Sequence, residues 1–197
     1  MGNLTPKLYD IAMKPFEKSR FYQIRKSIAG NAQGTVLEIG SGTGINFPFY
    51  RKADSVAAIE PDEAMRSRSQ QRAAEAEVPI RTYAAKAEAL PFGDDIFDSV
   101  VATLVFCTIP EPEQALREIR RCAKNGAKLY FFEHVRMDQK PIGFLQDAMT
   151  PLWQKVAGGC HLNRDTLALI RKSGLTVLEV KPMYDGLFLA ITCMNEK

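Results

Sequence analysis

The sequence has no C-x-x-C pair, and its 4 cysteines, Cys107, Cys122, Cys160 and Cys193, are widely spaced along 197 residues. This excludes a disulfide-built miniprotein and fits a reducing cytoplasm. No apolar run approaches the roughly 18 residues of a membrane span, and the N-terminus lacks the apolar core of a signal peptide. Histidine is scarce, at 2 residues, and tryptophan scarcer, at 1. No large excess of charge exists either: 26 Lys+Arg against 23 Asp+Glu leave +3, which demands neither a nucleic-acid nor an acidic-membrane partner. Internal repeats, low-complexity tracts and linkers are absent, so residues 1–197 read as a single domain with one core.

What is present is ordinary globular composition, 46% hydrophobic and 25% charged, with β-rich runs alternating with helical patterns. Residues 35–40, 55–60, 80–85, 99–106, 128–135, 176–180 and 187–194 read as strands. Several lack polar alternation, as strands covered on both faces do. Residues 64–77, 113–123 and 164–172 read as helices, the second with Pro112 at its first turn and Gly126 beyond its end, the third entered through Asn163 and closed by Gly174. The alternation predicts an α/β fold with a doubly wound, largely parallel sheet. Two segments stand outside it. Residues 4–29 look helical, with Leu8, Ile11, Phe21, Ile24 and Ile28 as buried positions and a local excess of basic residues. Residues 136–163 form an insertion in which Phe144, Leu145, Ala148, Met149, Leu152, Trp153 and Val156 recur at helical spacing despite Pro151.

Chemistry gathers at the first strand's end. Val36-Leu37-Glu38-Ile39 runs directly into Gly40, Gly42 and Gly44, and glycines at that edge let backbone approach a ligand closely. A dinucleotide fingerprint would place its third glycine at position 45, where Ile45 stands, and no Gly-Lys-Ser/Thr follows to make a P-loop. The second strand ends in Glu60, about 20 residues on, where a carboxylate can accept from both hydroxyls of a ribose. Loop and acid together read as an adenosine site.

Glu38 with the glycine loop, the Glu60 strand end, Ala87-Glu88-Ala89-Leu90-Pro91-Phe92, Phe97-Asp98-Ser99-Val100-Val101 and Leu116-Arg117-Glu118-Ile119 follow one another in the order found in class I S-adenosylmethionine-dependent methyltransferases. The chain resembles their methyltransferase type 11 group over residues 33–135. Leu104-Val105-Phe106-Cys107, Phe132-Glu133-His134-Val135 and Gly159-Cys160-His161-Leu162-Asn163-Arg164 are similar to the alkyl thiol methyltransferase-like branch. The resemblance implies a Rossmann-like seven-stranded sheet with helices on both faces and an antiparallel last strand. It divides the chain into an N-terminal helical lid (1–32), a cofactor-binding core (33–135), an acceptor-side insertion (136–163) and a last helix with strands (164–197).

The cofactor it implies is S-adenosyl-L-methionine. Glu38 would orient the methionine amino group, Gly40, Ser41, Gly42 and Gly44 would pack on methionine and ribose, and Glu60 would hold the ribose hydroxyls. Met65 would cover an adenine face, Ala87 and Glu88 would meet the adenine edge, and Thr103 would approach the methionine moiety. Relatives often carry Asp before the Ala-Glu pair to accept from adenine, and Lys86 stands there instead, with no acceptor to offer.

Methyl transfer from a sulfonium needs an aligned acceptor roughly 3 Å away, and a thiol or hydroxyl acceptor must also lose a proton. His134, ending the fifth strand, is the candidate catalytic residue, with His161 behind it. A strand cap or a buried backbone partner is the alternative role for His134. Cys107 and Cys160 read as small buried hydrophobes, and without zinc-site spacing no metal is expected. Tyr9, Phe16, Tyr22, Phe106 and Trp153 would line an apolar acceptor pocket, favouring a small lipophilic acceptor, preferably a thiol. Packing on the sheet is the alternative role of these side chains. A phospholipid or quinone-type acceptor and a non-catalytic S-adenosylmethionine-binding module are the competing functions. Basic and aromatic residues sharing residues 1–30 leave peripheral membrane contact open. The sequence carries no signal for oligomeric state.

Overall fold

The computed structural model describes residues 10, 11 and 20–197. Its elements are α1 (Arg20–Asn31), β1 (Gln33–Ile39), β2 (Lys52–Ile59), α2 (Glu63–Ala74), β3 (Ile80–Tyr83), β4 (Phe97–Thr103), α3 (Pro112–Cys122), β5 (Ala123–His134), α4 (Lys140–Val156), α5 (Thr166–Lys172), β6 (Thr176–Met183) and β7 (Phe188–Met194). All seven expected strands are present, in one sheet of order β3-β2-β1-β4-β5-β7-β6. Only β7 runs against its neighbours, pairing antiparallel with both β5 and β6. Strand order reverses between β1 and β4, and in an open α/β sheet that switch point leaves a crevice at the strands' C-terminal ends.

Burial explains the missing alternation. Val36, Leu37, Glu38 and Ile39 are all buried, as are five successive residues of β4 from Ser99 to Thr103, because helices cover both sheet faces. On one face Leu116 and Ile119 of α3 and Ile170 of α5 pack on Leu37, Val100 and Phe131. On the other, Phe21, Ile28 and Ala29 of α1 pack on Val36, Val56, Val101 and Phe132. Phe21 meets the rings of Phe132 and Phe188 edge-on at 5.1 and 4.9 Å, the offset geometry aromatic pairs prefer. The described part of the opening segment is therefore largely a sheet-face helix.

Two sequence motifs acquire a physical role as ties between elements. Glu118 Oε2 accepts from the Leu90 amide at 2.9 Å while Arg121 holds the same carboxylate, fixing the 87–92 segment to α3. Asp98 Oδ2 accepts from the Thr35 amide at 2.9 Å, joining β4 to β1.

Helix boundaries required correction. Helix α5 starts at Thr166, with Asp165 as its cap accepting from the Ala168 amide at 2.9 Å; the expected cap, Asn163, instead donates to Asp147. Helix α2 stops at Ala74 rather than residue 77, and Asp62 caps its start. Helix α4 runs through Pro151, held down by buried Gln146, which accepts from the Met137 amide and donates to the carbonyls of Val135 and Leu162. Gln146 thus ties α4 both to the end of β5 and to the loop beyond the helix. Among the described residues, no helix is long and apolar enough to cross a membrane.

Candidate active site

The crevice begins where β1 turns into the glycine loop. Gly40 and Gly42 have φ of 62° and 54°, a region that favours glycine. A Cβ on Gly40 would run into the Val105 side chain, whereas one on Gly42 would meet nothing within 4 Å among the described residues. Gly40 therefore serves packing, and Gly42 keeps open space clear at the strand ends. The Ser41 hydroxyl beside it is buried with no hydrogen-bond partner among the described residues, a group a ligand would satisfy.

Glu60 closes the adjacent edge, its oxygens accepting from the amides of Gly42 and Asp62, each at 2.9 Å. Burial raises its pKa against those two donors. Each oxygen retains a lone pair for a further donor, so Glu60 braces the loop and keeps acceptor capacity to spare. Met65 is half-buried in the first turn of α2, Ala87 is buried, and Glu88 is half-buried with its carbonyl accepting from Gln114. Lys86 is exposed.

Beneath the loop lies a buried polar network that sequence reasoning largely missed. Glu38 accepts from Asn46 Nδ2 and from the Tyr50 hydroxyl, both at 2.9 Å. Asn46 Nδ2 also reaches Thr103 Oγ1 at 3.0 Å, and Arg25 donates to Asn46 Oδ1 and to Thr103 Oγ1 at 3.0 and 2.8 Å. Burial pushes the Glu38 carboxyl up to about 7, partly offset by Tyr50, Asn46 and Arg25. Arg25 Nε is buried and has no hydrogen-bond partner among the described residues. Arg25 falls at helical spacing between buried Phe21 and Ile28, and that break in an apolar stripe was the available signal for it. Asn46 and Tyr50 lie just past the glycines with no comparable signal.

Asp10 sits over the loop, accepting from Thr43 Oγ1 at 2.7 Å and pairing with Arg68 and Arg72 of α2. Burial opposes its ionisation, but Thr43 and Arg72 hold its carboxyl below the usual range.

The far side of the crevice is built from the ends of β4 and β5 and the loop after α4. Leu104 turns at φ 55° immediately after β4, which aims the amides of Val105 and Phe106 at Glu133 Oε1 at 3.0 and 3.2 Å. Burial lifts Glu133 to about 7 despite those donors, and its Oε2 is buried without a partner among the described residues. His134 Nε2 lies 3.2 Å from Cys160 Sγ. The ligand-capable atoms of Cys107, His134 and Cys160 all fall within 4.8 Å of one another. The Cys107 thiol and then the His134 ring hold the Cys160 thiol well below its usual range, with the Trp153 indole adding to them. His134 itself is raised: burial opposes the charge, and the Cys160 sulfur outweighs it.

Wide spacing in sequence thus concealed a cluster in space. Cys122 and Cys193 are buried in the core, whereas Cys107 and Cys160, expected as small buried hydrophobes, meet at His134. His161 lies close behind, its Nδ1 3.1 Å from the Cys107 carbonyl.

The expected acceptor pocket needs revision. Phe106 is fully buried edge-on to Phe131 at 5.5 Å, so it belongs to the core behind the crevice. Tyr22 packs edge-on to Phe49 at 5.1 Å, on the outer side of α1. Tyr9 and Phe16 lie outside the described residues. Of the three described residues among these five, Trp153 stands beside the cluster, on a helix that also exposes Phe144, Leu145, Met149 and Leu152.

Comparison with known proteins agrees with this architecture. The family described as "Methyltransferase domain" matches residues 37–131. Thiol S-methyltransferase TMT1B of Rattus norvegicus is 32% identical over 187 residues, covering 92% of this chain and 75% of the relative. Phosphatidylethanolamine N-methyltransferase of Cereibacter sphaeroides is 28% identical over 155 residues, 78% of this chain and 75% of the relative. A SAM-dependent methyltransferase from Aquifex aeolicus superposes with a TM-score of 0.66 at 16% identity, covering 93% of this chain and 96% of that one. With the open face at Gly42, the unpartnered Ser41 hydroxyl and the buried Glu38 carboxyl able to receive such a cofactor, the chain belongs to the methyltransferase-domain family of class I S-adenosylmethionine-dependent methyltransferases.

Proposed function

We propose that the protein methylates a small lipophilic thiol. The observation that carries this reading is the 32% identity to a thiol S-methyltransferase over 92% of the chain. The thiol-bearing cluster at the strand ends and the exposed apolar residues of α4 support it. When bound, S-adenosylmethionine supplies a methyl group already activated as a sulfonium.

The chain's residues divide the remaining work. Glu38, set by Asn46 and Tyr50, orients the amino group of the methionine moiety, and Thr103 and the Arg25 network hold that end in a fixed polar frame. Gly40, Ser41, Gly42 and Gly44 pack along methionine and ribose. Glu60 accepts from the ribose hydroxyls, Met65 covers the adenine, and Ala87 and Glu88 meet its edge. His134 is the catalytic candidate, taking part in activation of the acceptor thiol from the end of β5. Trp153 and its neighbours on α4 shield the acceptor from water. Four unpaired cysteines fit a reducing cytoplasm.

A phospholipid acceptor is the second reading, favoured by the 28% identical phosphatidylethanolamine N-methyltransferase and by the exposed apolar side chains of α4. The test is turnover of S-adenosylmethionine with alkyl thiols, phosphatidylethanolamine vesicles and a reduced quinone, read by mass of the products. S-methylation of the thiols is the expected result. Methylation confined to the lipid amine overturns the thiol reading in favour of the second.

A further inference from the structure

Cys107, His134 and Cys160 come from three separate parts of the chain, and each is fixed before any ligand arrives. The Leu104 turn returns the chain so that Cys107 lies beside the end of β5. Gln146 clamps α4 to the Val135 and Leu162 carbonyls, setting the loop that carries Cys160. Cys160 donates its amide to the Ala157 carbonyl at 3.1 Å, and the next amide, of His161, reaches the Cys107 carbonyl at 2.9 Å. Arg164 donates to the carbonyls of Phe106 and Ile109, bracing the Cys107 segment from behind. The ligand atoms are held by this frame within 4.8 Å of one another, with His134 Nε2 and Cys160 Sγ 3.2 Å apart. Tetrahedral zinc, with bonds of about 2.3 Å to sulfur and about 2.0 Å to nitrogen, spaces such atoms by roughly 3.5 to 3.8 Å. Movements of about 1 Å or less therefore complete the site.

We propose that Cys107, His134 and Cys160 bind one soft divalent cation of the zinc class, leaving its fourth position open for the acceptor sulfur. Two thiolates neutralise a dication, and the imidazole adds no charge. Three protein ligands with a vacant position are the arrangement of reactive rather than structural zinc sites. Glu133 does not make the fourth bond: it follows the alternation of β5 to the opposite sheet face from His134, and one of its oxygens already accepts two amides.

At the open position a thiol forms a metal–sulfur bond as its proton leaves to solvent, giving a bound thiolate at neutral pH. Methylation then forms the new carbon–sulfur bond at that thiolate while the cofactor's sulfonium sulfur retains the electron pair of the bond that breaks. The product is a neutral thioether, a weaker ligand, which dissociates. The choice of a thiol rests on the acceptor proposed above; the cation site does not.

The test is anaerobic titration of the phosphine-reduced full chain with cobalt(II). One equivalent is expected, with the intense visible bands of a tetrahedral site and thiolate-to-cobalt charge transfer in the near ultraviolet, both lost when zinc displaces the cobalt. Cys107→Ser and Cys160→Ser should each weaken binding by at least about a hundredfold, whereas Cys122→Ser should bind as wild type. Binding of S-adenosylhomocysteine at wild-type affinity shows that each variant is folded. Addition of an alkyl thiol should shift the charge-transfer band. The site is overturned if protein with four titratable thiols takes up no cobalt, if the two serine variants bind it unchanged, or if Cys107 and Cys160 form a disulfide in preference to holding the metal. An unchanged spectrum on adding thiol overturns the open position. Normal metal binding without any thiol turnover would instead refute the acceptor.

Discussion

Protonation of Glu38 should control cofactor affinity, and the size of the effect follows from its burial. Its carboxyl stands at about 7 against 4.5 for an ordinary glutamate, so protonation is favoured in the folded protein by about 3 kcal/mol relative to the unfolded chain. If Glu38 receives the ammonium of the methionine moiety, binding requires the carboxylate. At pH 6 the group is about nine-tenths protonated, and binding of S-adenosylhomocysteine, which keeps that ammonium, should release about 0.9 proton. At pH 8 the release should fall to about 0.1 proton, with affinity about tenfold tighter than at pH 6. Calorimetry in two buffers of different ionisation enthalpy measures the release directly. Glu38→Gln should bind more weakly and lose both the release and the tenfold slope. The same group sets a stability slope. Because its folded pKa is the higher one, its stabilising contribution is complete below pH 4.5 and is lost as pH rises through about 7, a change of about 2–3 kcal/mol between pH 5 and 8. Glu133 titrates in the same window, so the measurement is the difference in urea-unfolding slope between wild type and Glu38→Gln. Equal proton release at pH 6 in both proteins would refute the assigned role of Glu38.

Two other substitutions separate bracing from binding. Glu60→Ala removes the acceptor for the Gly42 and Asp62 amides and should cost about 1–3 kcal/mol in urea unfolding. Glu60→Gln, which keeps one carbonyl acceptor, should cost less while still weakening S-adenosylhomocysteine binding about tenfold in calorimetry; unchanged affinity in the Gln variant would remove Glu60 from the ribose. Gly42→Ala should cost about 1–2 kcal/mol for a side chain in the left-handed region. Its methyl projects into open space, so a measured affinity equal to wild type would mean that this space is not where the ligand lies.

Legibility in the sequence tracked the range of the interaction. Local, periodic features were readable: β1 and β4 as buried runs, α3 as an amphipathic stripe, and the strand–glycine loop–strand–acid order from Val36 to Glu60. Positions set by a single side chain were less so. The cap of α5 moved from Asn163 to Asp165 because capping depends on which side-chain oxygen reaches the Ala168 amide. Phe106 read as lining and is core because its ring meets Phe131 from the neighbouring strand.

The sequence alone determined the sheet, its helices and the place of the cofactor loop, since hydrophobic period and glycine spacing are local properties that survive without knowledge of neighbours. Tertiary structure alone decided the polar frame and the thiol cluster. Arg25 meets Thr103 across 78 positions and His134 meets Cys160 across 26, and no periodicity encodes such meetings. Cysteines that looked scattered along the chain converge because parallel strands deliver their C-terminal ends to one edge. Gln146, buried in α4, then pins the loop of Cys160 against that edge.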